Sequence, residues 1–71
     1  MPTMVYIGEN LKRARLSATM TQRDLAAKSG VSLRSIVQLE NDRQEPHPST
    51  LRKLSEALGV EAAKLIEGSP L

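Results

Sequence analysis

The chain has 71 residues, no cysteine, and Tyr6 as its one aromatic side chain. A chain of this length forms one small domain, and with 39% hydrophobic residues its core must be built from aliphatic side chains. No apolar run approaches the roughly 20 residues of a membrane-spanning helix, and residues 1–7 lack a signal-peptide pattern. We therefore expect a cytoplasmic protein with no membrane partner.

The net charge of +2 is unevenly distributed along the chain. Residues 1–53 carry nine Lys and Arg against five Asp and Glu, whereas residues 54–71 carry one Lys against three Glu. The basic part suits a phosphate backbone. His47 is the only histidine, and no nucleophile–base pair or glycine-rich phosphate loop is evident, so we predict no enzyme activity, metal site, cofactor or small-molecule ligand.

The first predicted helix follows an N-terminal arm at residues 1–6, which has no helical period. Apolar residues at 7, 11, 14 and 18 recur with helical spacing and predict a helix over residues 7–17. Arg15 lies on the flank of that apolar face, where a charged side chain needs a partner. Glu40, on the flank of the core face of the third helix, is the candidate. The alternative is that the Arg15 side chain extends into solvent.

The stretch that follows predicts two short helices joined by a tight turn. Thr21 can cap a helix over residues 22–28, and Asp24 can reach back to the Thr21 amide as in a capping box. Gly30 then allows the positive φ with which a helix commonly ends, and Ser32 supplies the next cap. This is the pattern of a helix-turn-helix.

The third helix, predicted over residues 33–40, has an unusual outward face. At 100° per residue, Ile36 and Leu39 point to one side. The opposite side collects Leu33, Arg34, Val37, Gln38 and Asn41. In a major groove Arg can bond guanine, Gln can bond adenine, and an aliphatic side chain can pack on a thymine methyl. The alternative is an ordinary solvated helix face.

The rest of the chain predicts a loop and two more helices. Residues 41–48 are polar, with two prolines, and indicate the loop. Ser49 is the expected cap of the fourth helix, which Gly59 ends and whose apolar face is Leu51, Leu54 and Leu58. A last helix over residues 60–67 precedes a linker-like tail at residues 68–71. The predicted fold is all-α, a compact five-helix bundle over residues 7–67.

A family resemblance covers nearly all of this domain. The matching positions are Gln22, Ala26, Gly30, Val31, Ile36 and Leu39, together with the stretch SIVQLEN at residues 35–41. These resemble the Cro/CI-type (XRE) helix-turn-helix family of the lambdoid phage repressors. The family has Gly where Thr19 stands, and a left-handed β-branched residue would cost roughly 1 kcal/mol or more, so we expect the first helix to end differently.

The resemblance implies roles for particular residues. The third helix would lie in the major groove, with Leu33, Arg34, Val37 and Gln38 toward the bases. Phosphate contacts would come from Thr21, Gln22, Asn41 and Arg43, with Gln44 and His47 as further candidates. Arg15 and Glu40 would form a partly buried ion pair.

The predicted function is sequence-specific binding of double-stranded DNA by a small transcriptional regulator, most simply a repressor. The resemblance implies a homodimer on a palindromic operator, because one helix reads too few base pairs to single out a site. Ala62, Ala63 and Ile66 are the candidate dimer contacts. The alternative is an antitoxin or protein–protein adaptor with the same fold, since outward Leu33 and Val37 would also suit a protein surface.

Overall fold

The computed structural model describes residues 6–66, which form five α-helices and, within that range, no strand. The helices are α1 Gly8–Ser17, α2 Gln22–Ser29, α3 Leu33–Glu40, α4 Pro48–Leu58 and α5 Ala62–Ile66. The all-α, five-helix prediction is confirmed. Apart from Tyr6, the predicted arm at residues 1–6 and tail at residues 68–71 lie outside the described residues.

One aliphatic core holds the helices together. α1 packs on α3 and α5, α2 packs on α3 and α4, and α4 packs on α5. The buried apolar residues are Ile7, Leu11, Leu25, Val31, Ile36, Leu39, Leu54, Ala57 and Leu65. Every helix contributes to this set, and α3 packs directly on α1 and α2. No helix within residues 6–66 has the length and apolar character to cross a bilayer.

The α2–turn–α3 unit has the predicted local chemistry. The Thr21 hydroxyl oxygen accepts the Asp24 N–H at 3.0 Å, and the Asp24 carboxylate accepts the Thr21 N–H at 2.9 Å. The bond from the Thr21 N–H, and after it the Thr21 hydroxyl, hold the pKa of the Asp24 carboxyl below its usual value. Gly30 ends α2 with φ +79°, and Ser32 caps α3 by accepting the Ser35 N–H at 3.1 Å. The capping box and the turn are therefore confirmed.

We expected α1 to end without a left-handed residue, because Thr19 stands where the family has Gly. This expectation is wrong, because Thr19 adopts the left-handed conformation with φ +59°. The Thr19 N–H donates to the Leu16 carbonyl at 2.9 Å, and the Met20 N–H donates to the Arg15 carbonyl at 3.1 Å. These are the two bonds of a Schellman ending, which satisfies the last carbonyls of the helix. α1 thus ends in a Schellman motif, with a β-branched residue, Thr19, in the left-handed conformation that usually takes glycine.

The predicted start of α4 is also wrong, because the cap is His47 and Pro48 is the first helical residue. The His47 Nδ1 accepts the Ser49 N–H at 3.3 Å. Proline is favoured at the first helical position because its missing N–H has no partner there in any case. The last helix begins at Ala62, two residues later than predicted, because residues 59 and 60 form the turn that ends α4.

Candidate nucleic-acid interface

The two sides of α3 differ sharply in burial. Ile36 and Leu39 are fully buried in the core, and Glu40 beside them is also buried. On the opposite side Arg34 is exposed, and Leu33, Val37 and Gln38 are half-buried. The structure therefore brings these four residues together on the outer surface of α3.

The polar groups of this outer face are available to a ligand. The Arg34 and Gln38 side chains make no hydrogen bond or ion pair within residues 6–66. Arg34 carries parallel N–H donors, and Gln38 carries both a donor and an acceptor. With the aliphatic Leu33 and Val37 beside them, the face combines directed polar groups with apolar surface, as base edges in a major groove require.

Arg15 and Glu40 form a buried ion pair behind α3. Arg15 Nε donates to Glu40 Oε2 at 2.6 Å and Arg15 Nη2 donates to Glu40 Oε1 at 3.1 Å, in the forked geometry of a strong pair. The hydrogen bond to Glu40 raises the pKa of the Arg15 guanidinium. Arg15 Nη1 also donates to the Met20 carbonyl at 2.8 Å. The pair thus connects α1, α3 and the segment before α2.

Gln22, the first residue of α2, is a third member of this network. Its Nε2 donates to Glu40 Oε1 at 3.1 Å. Sequence reasoning missed this contact, because the two residues are eighteen positions apart and no periodicity links them. Thr21, just before Gln22, uses its hydroxyl oxygen in the capping box, while the side chain itself stays exposed.

The loop after α3 begins with Asn41, which is followed by a left-handed residue, Asp42, with φ +55°. Asn41 is exposed, and its side-chain amide donates to the Val37 carbonyl at 2.9 Å, so one of its donors is already used. Arg43 is exposed, and its side chain has no hydrogen bond or ion pair within the described part of the chain. Arg43 is therefore the less constrained donor of this loop.

The carboxylate of Asp42 turns inward to the start of α1. It accepts the Gly8 N–H at 2.9 Å and so occupies the positive end of that helix, which has no side-chain cap of its own. A Cβ at Gly8 would contact this carboxylate and lie 2.6 Å from the Glu40 carbonyl and 2.9 Å from the Leu39 carbonyl. No pattern in the sequence indicated that this close approach of α1 to the end of α3 requires Gly8.

Within residues 6–66 no cluster of three or more His, Cys, Asp or Glu side chains could hold a metal ion. His47 is exposed, and its described partner is Ser49 at the start of α4. The α3 surface and the loop that follows it supply hydrogen-bonding groups, charge and apolar surface.

The chain is similar to known transcriptional regulators over most of its length. A family model described as "Helix-turn-helix" matches residues 11–65. An uncharacterised HTH-type transcriptional regulator of Sinorhizobium fredii is 37% identical over 60 residues, which are 84% of this chain and 78% of that protein. The HTH-type transcriptional repressor RghR of Bacillus subtilis is 40% identical over 58 residues, covering 80% of this chain but only 43% of RghR.

Solved structures agree with these relatives. The P22 c2 repressor in complex with a synthetic operator has a TM-score of 0.80 and 32% identity, covering 89% of this chain and 96% of that one. The controller protein C.AhdI of Aeromonas hydrophila has a TM-score of 0.81 and 26% identity, covering 86% and 92%. These matches agree with the helix-turn-helix formed by α2, the turn at Gly30 and α3. The chain belongs to the Cro/CI-type, or XRE, family of helix-turn-helix transcriptional regulators.

Proposed function

We propose that this protein represses transcription by binding a specific double-stranded DNA site, with α3 in the major groove. The observation that carries the proposal is the outer face of α3, where Arg34 and Gln38 have no partner within residues 6–66 and Leu33 and Val37 supply apolar surface. The similarity to a repressor solved with its operator supports the same docking.

The contacts divide into base reading and phosphate binding. Arg34 bonds a guanine and Gln38 an adenine, while Leu33 and Val37 pack on thymine methyl groups. Thr21 and Gln22 at the start of α2, and Asn41 and Arg43 after α3, bind phosphates and fix the position of the domain on the duplex; these are the residues that read no base.

The functional unit is a homodimer on a palindromic operator. One α3 reads too few base pairs to discriminate against a genome, and two copies related by a twofold axis double the site. On α5, Ala63 and Ile66 are exposed, and Ile66 is one of two large apolar side chains exposed within residues 6–66. Together with Ala62 they are candidates for the dimer contact, which would set the recognition helices about 34 Å apart.

A selection from random duplexes tests the proposal. The protein should enrich a palindrome, and the Arg34→Ala variant should lose part of that enrichment. Arg13→Ala is a charge-matched control, because Arg13 pairs with Glu9 on α1 and lies at a groove beside α4 and α5. Failure to enrich any sequence would favour the adaptor or antitoxin alternative, for which the apolar Leu33 and Val37 would form a protein-binding surface.

A further inference from the structure

We propose that Glu40 is a positioning residue for the side chain of Gln22, so that the buried ion pair orients one phosphate contact of the domain. The inference rests on the proposed function, because it concerns how Gln22 meets DNA. It adds a second task to Glu40, which otherwise only joins α3 to α1.

The hydrogen-bond pattern of Glu40 fixes which end of the Gln22 amide faces it. The Glu40 side chain is 1% exposed. Its Oε1 accepts one hydrogen bond from Arg15 Nη2 and one from Gln22 Nε2, each at 3.1 Å. An ionised carboxylate can only accept hydrogen bonds, so the amide must turn its NH₂ group toward Glu40 and cannot turn its carbonyl there. The orientation of the amide is therefore set by the charge of its partner.

This orientation leaves one donor of Gln22 for a ligand. The NH₂ group has two N–H bonds that diverge in the amide plane, and one of them is used by Glu40. Gln22 is half-buried at the first position of α2, where backbone N–H groups lack helical partners and the helix dipole is positive. A phosphate at this end of α2 would receive the second N–H, whereas a rotated amide would offer it a repelling carbonyl oxygen.

Arg15 compensates the negative charge of Glu40 near the phosphate proposed at the start of α2. An unpaired Glu40 would repel a nearby phosphate, but two hydrogen bonds from the Arg15 guanidinium neutralise it. The same guanidinium bonds the Met20 carbonyl, two residues before Gln22. Arg15 thus holds both the acceptor of the Gln22 amide and the backbone that leads into α2.

The test compares the effect of Gln22→Ala on DNA binding in three backgrounds. The first is the wild type. The second is the glutamine background, Arg15→Met/Glu40→Gln, which is charge-free but keeps a carbonyl acceptor. The third is the leucine background, Arg15→Met/Glu40→Leu, which is charge-free and removes that acceptor. Circular dichroism checks that each protein is folded at the temperature used, and affinities are measured on the selected site and on a random duplex.

Gln22→Ala should weaken binding about tenfold in the wild type, because a hydrogen bond to a charged phosphate is lost, and by an intermediate factor in the glutamine background, whose amide can donate as well as accept. It should weaken binding less than about threefold in the leucine background, where the amide is no longer held. Equal losses in the wild type and the leucine background, with normal wild-type binding, would overturn the positioning role alone. A wild type that binds no duplex would overturn the proposed function with it.

A second measurement needs no substitution at the ion pair, and so remains decisive if the leucine background does not fold. In the ¹H–¹⁵N spectrum of the wild-type protein, the two Nε2 protons of Gln22 should respond differently to added duplex. One proton, held by Glu40, should keep its shift, and the other should move downfield. Equal movement of both, or movement of neither, would overturn the proposal.

Discussion

Arg15 and Glu40 join α1 to α3 through two hydrogen bonds while keeping only 10% and 1% of their side chains exposed. Each charge therefore depends on the other for compensation. Arg15→Met or Glu40→Gln alone should lower the free energy of unfolding by about 3–5 kcal/mol, because a buried charge remains unpaired. The double variant should recover much of this loss, as thermal or urea melts would show. Strictly additive effects would mean that the pair does not contribute as a unit.

Thr19→Gly should stabilise the protein. A non-glycine residue at φ +59° costs roughly 1–2 kcal/mol, and glycine removes that cost while adding some flexibility to the unfolded chain. The net gain should be about 0.5–1 kcal/mol in thermal melts. Gly30→Ala is the matched control, since Gly30 has φ +79° and open space around it, and that change should destabilise. A lower melting temperature for Thr19→Gly would contradict the left-handed ending of α1.

Gly8→Ala should destabilise for a different reason, namely lack of space. The new Cβ would meet two backbone carbonyls, so α1 would have to move away from the end of α3, at a cost of about 1–3 kcal/mol or more. Adding Asp42→Ala should recover little, because the carbonyls of Leu39 and Glu40 remain in place. Chemical denaturation measures both effects, and a neutral Gly8→Ala would show that the helices are not this close.

Arg43→Ala should weaken binding to specific and random duplexes alike, because a phosphate contact carries no sequence information. The slope of affinity against salt should become shallower by about one unit per protomer. Titrations over a range of potassium chloride measure this, and a loss confined to the specific site would assign base reading to Arg43.

Asp42→Asn is a companion to that experiment. The carboxylate of Asp42 points to the Gly8 N–H, and the asparagine amide oxygen can accept the same bond. Binding should therefore change little in spite of the lost negative charge. A marked rise in affinity would mean that the carboxylate faces the duplex.

Arg34→Ala should cost about 1–3 kcal/mol on the preferred site and much less on random DNA, relaxing selection at one base pair of each half-site. Leu33→Ala should cost less, because no donor is left unpaired when a methyl contact is lost. Repeating the selection with both variants tests this. An unchanged base preference in Arg34→Ala would move the reading residue elsewhere on α3.

Local signals in the sequence predicted most of the fold. The Thr21–Asp24 capping box, Gly30 and the 3.6-residue spacing of Ile36 and Leu39 each act within a few residues, so α2, the turn and α3 could be located closely. The start of α4 was misjudged because Ser49 and His47 can both cap, and only the preference of proline for the first position separates them.

Contacts between distant residues could not be predicted in the same way. The bonds from Gln22 to Glu40 and from Asp42 to Gly8 depend on how α1, α2 and α3 pack, and no sequence pattern describes that packing. The Arg15–Glu40 pairing could be anticipated only because both charges sat beside an apolar face and matched a family pattern.

The contact between Gly8 and Asp42 also matters for anyone who attaches a label to this protein. The chain enters α1 beside Asp42, in the loop proposed to face the sugar–phosphate backbone. A bulky fluorescent fusion placed directly ahead of α1 would lie next to the duplex in the proposed complex, and a basic affinity tag would attract DNA without regard to sequence. Reporters are better attached through an engineered cysteine on the outer surface of α4, for example at Glu56, whose side chain is exposed and has no described partner.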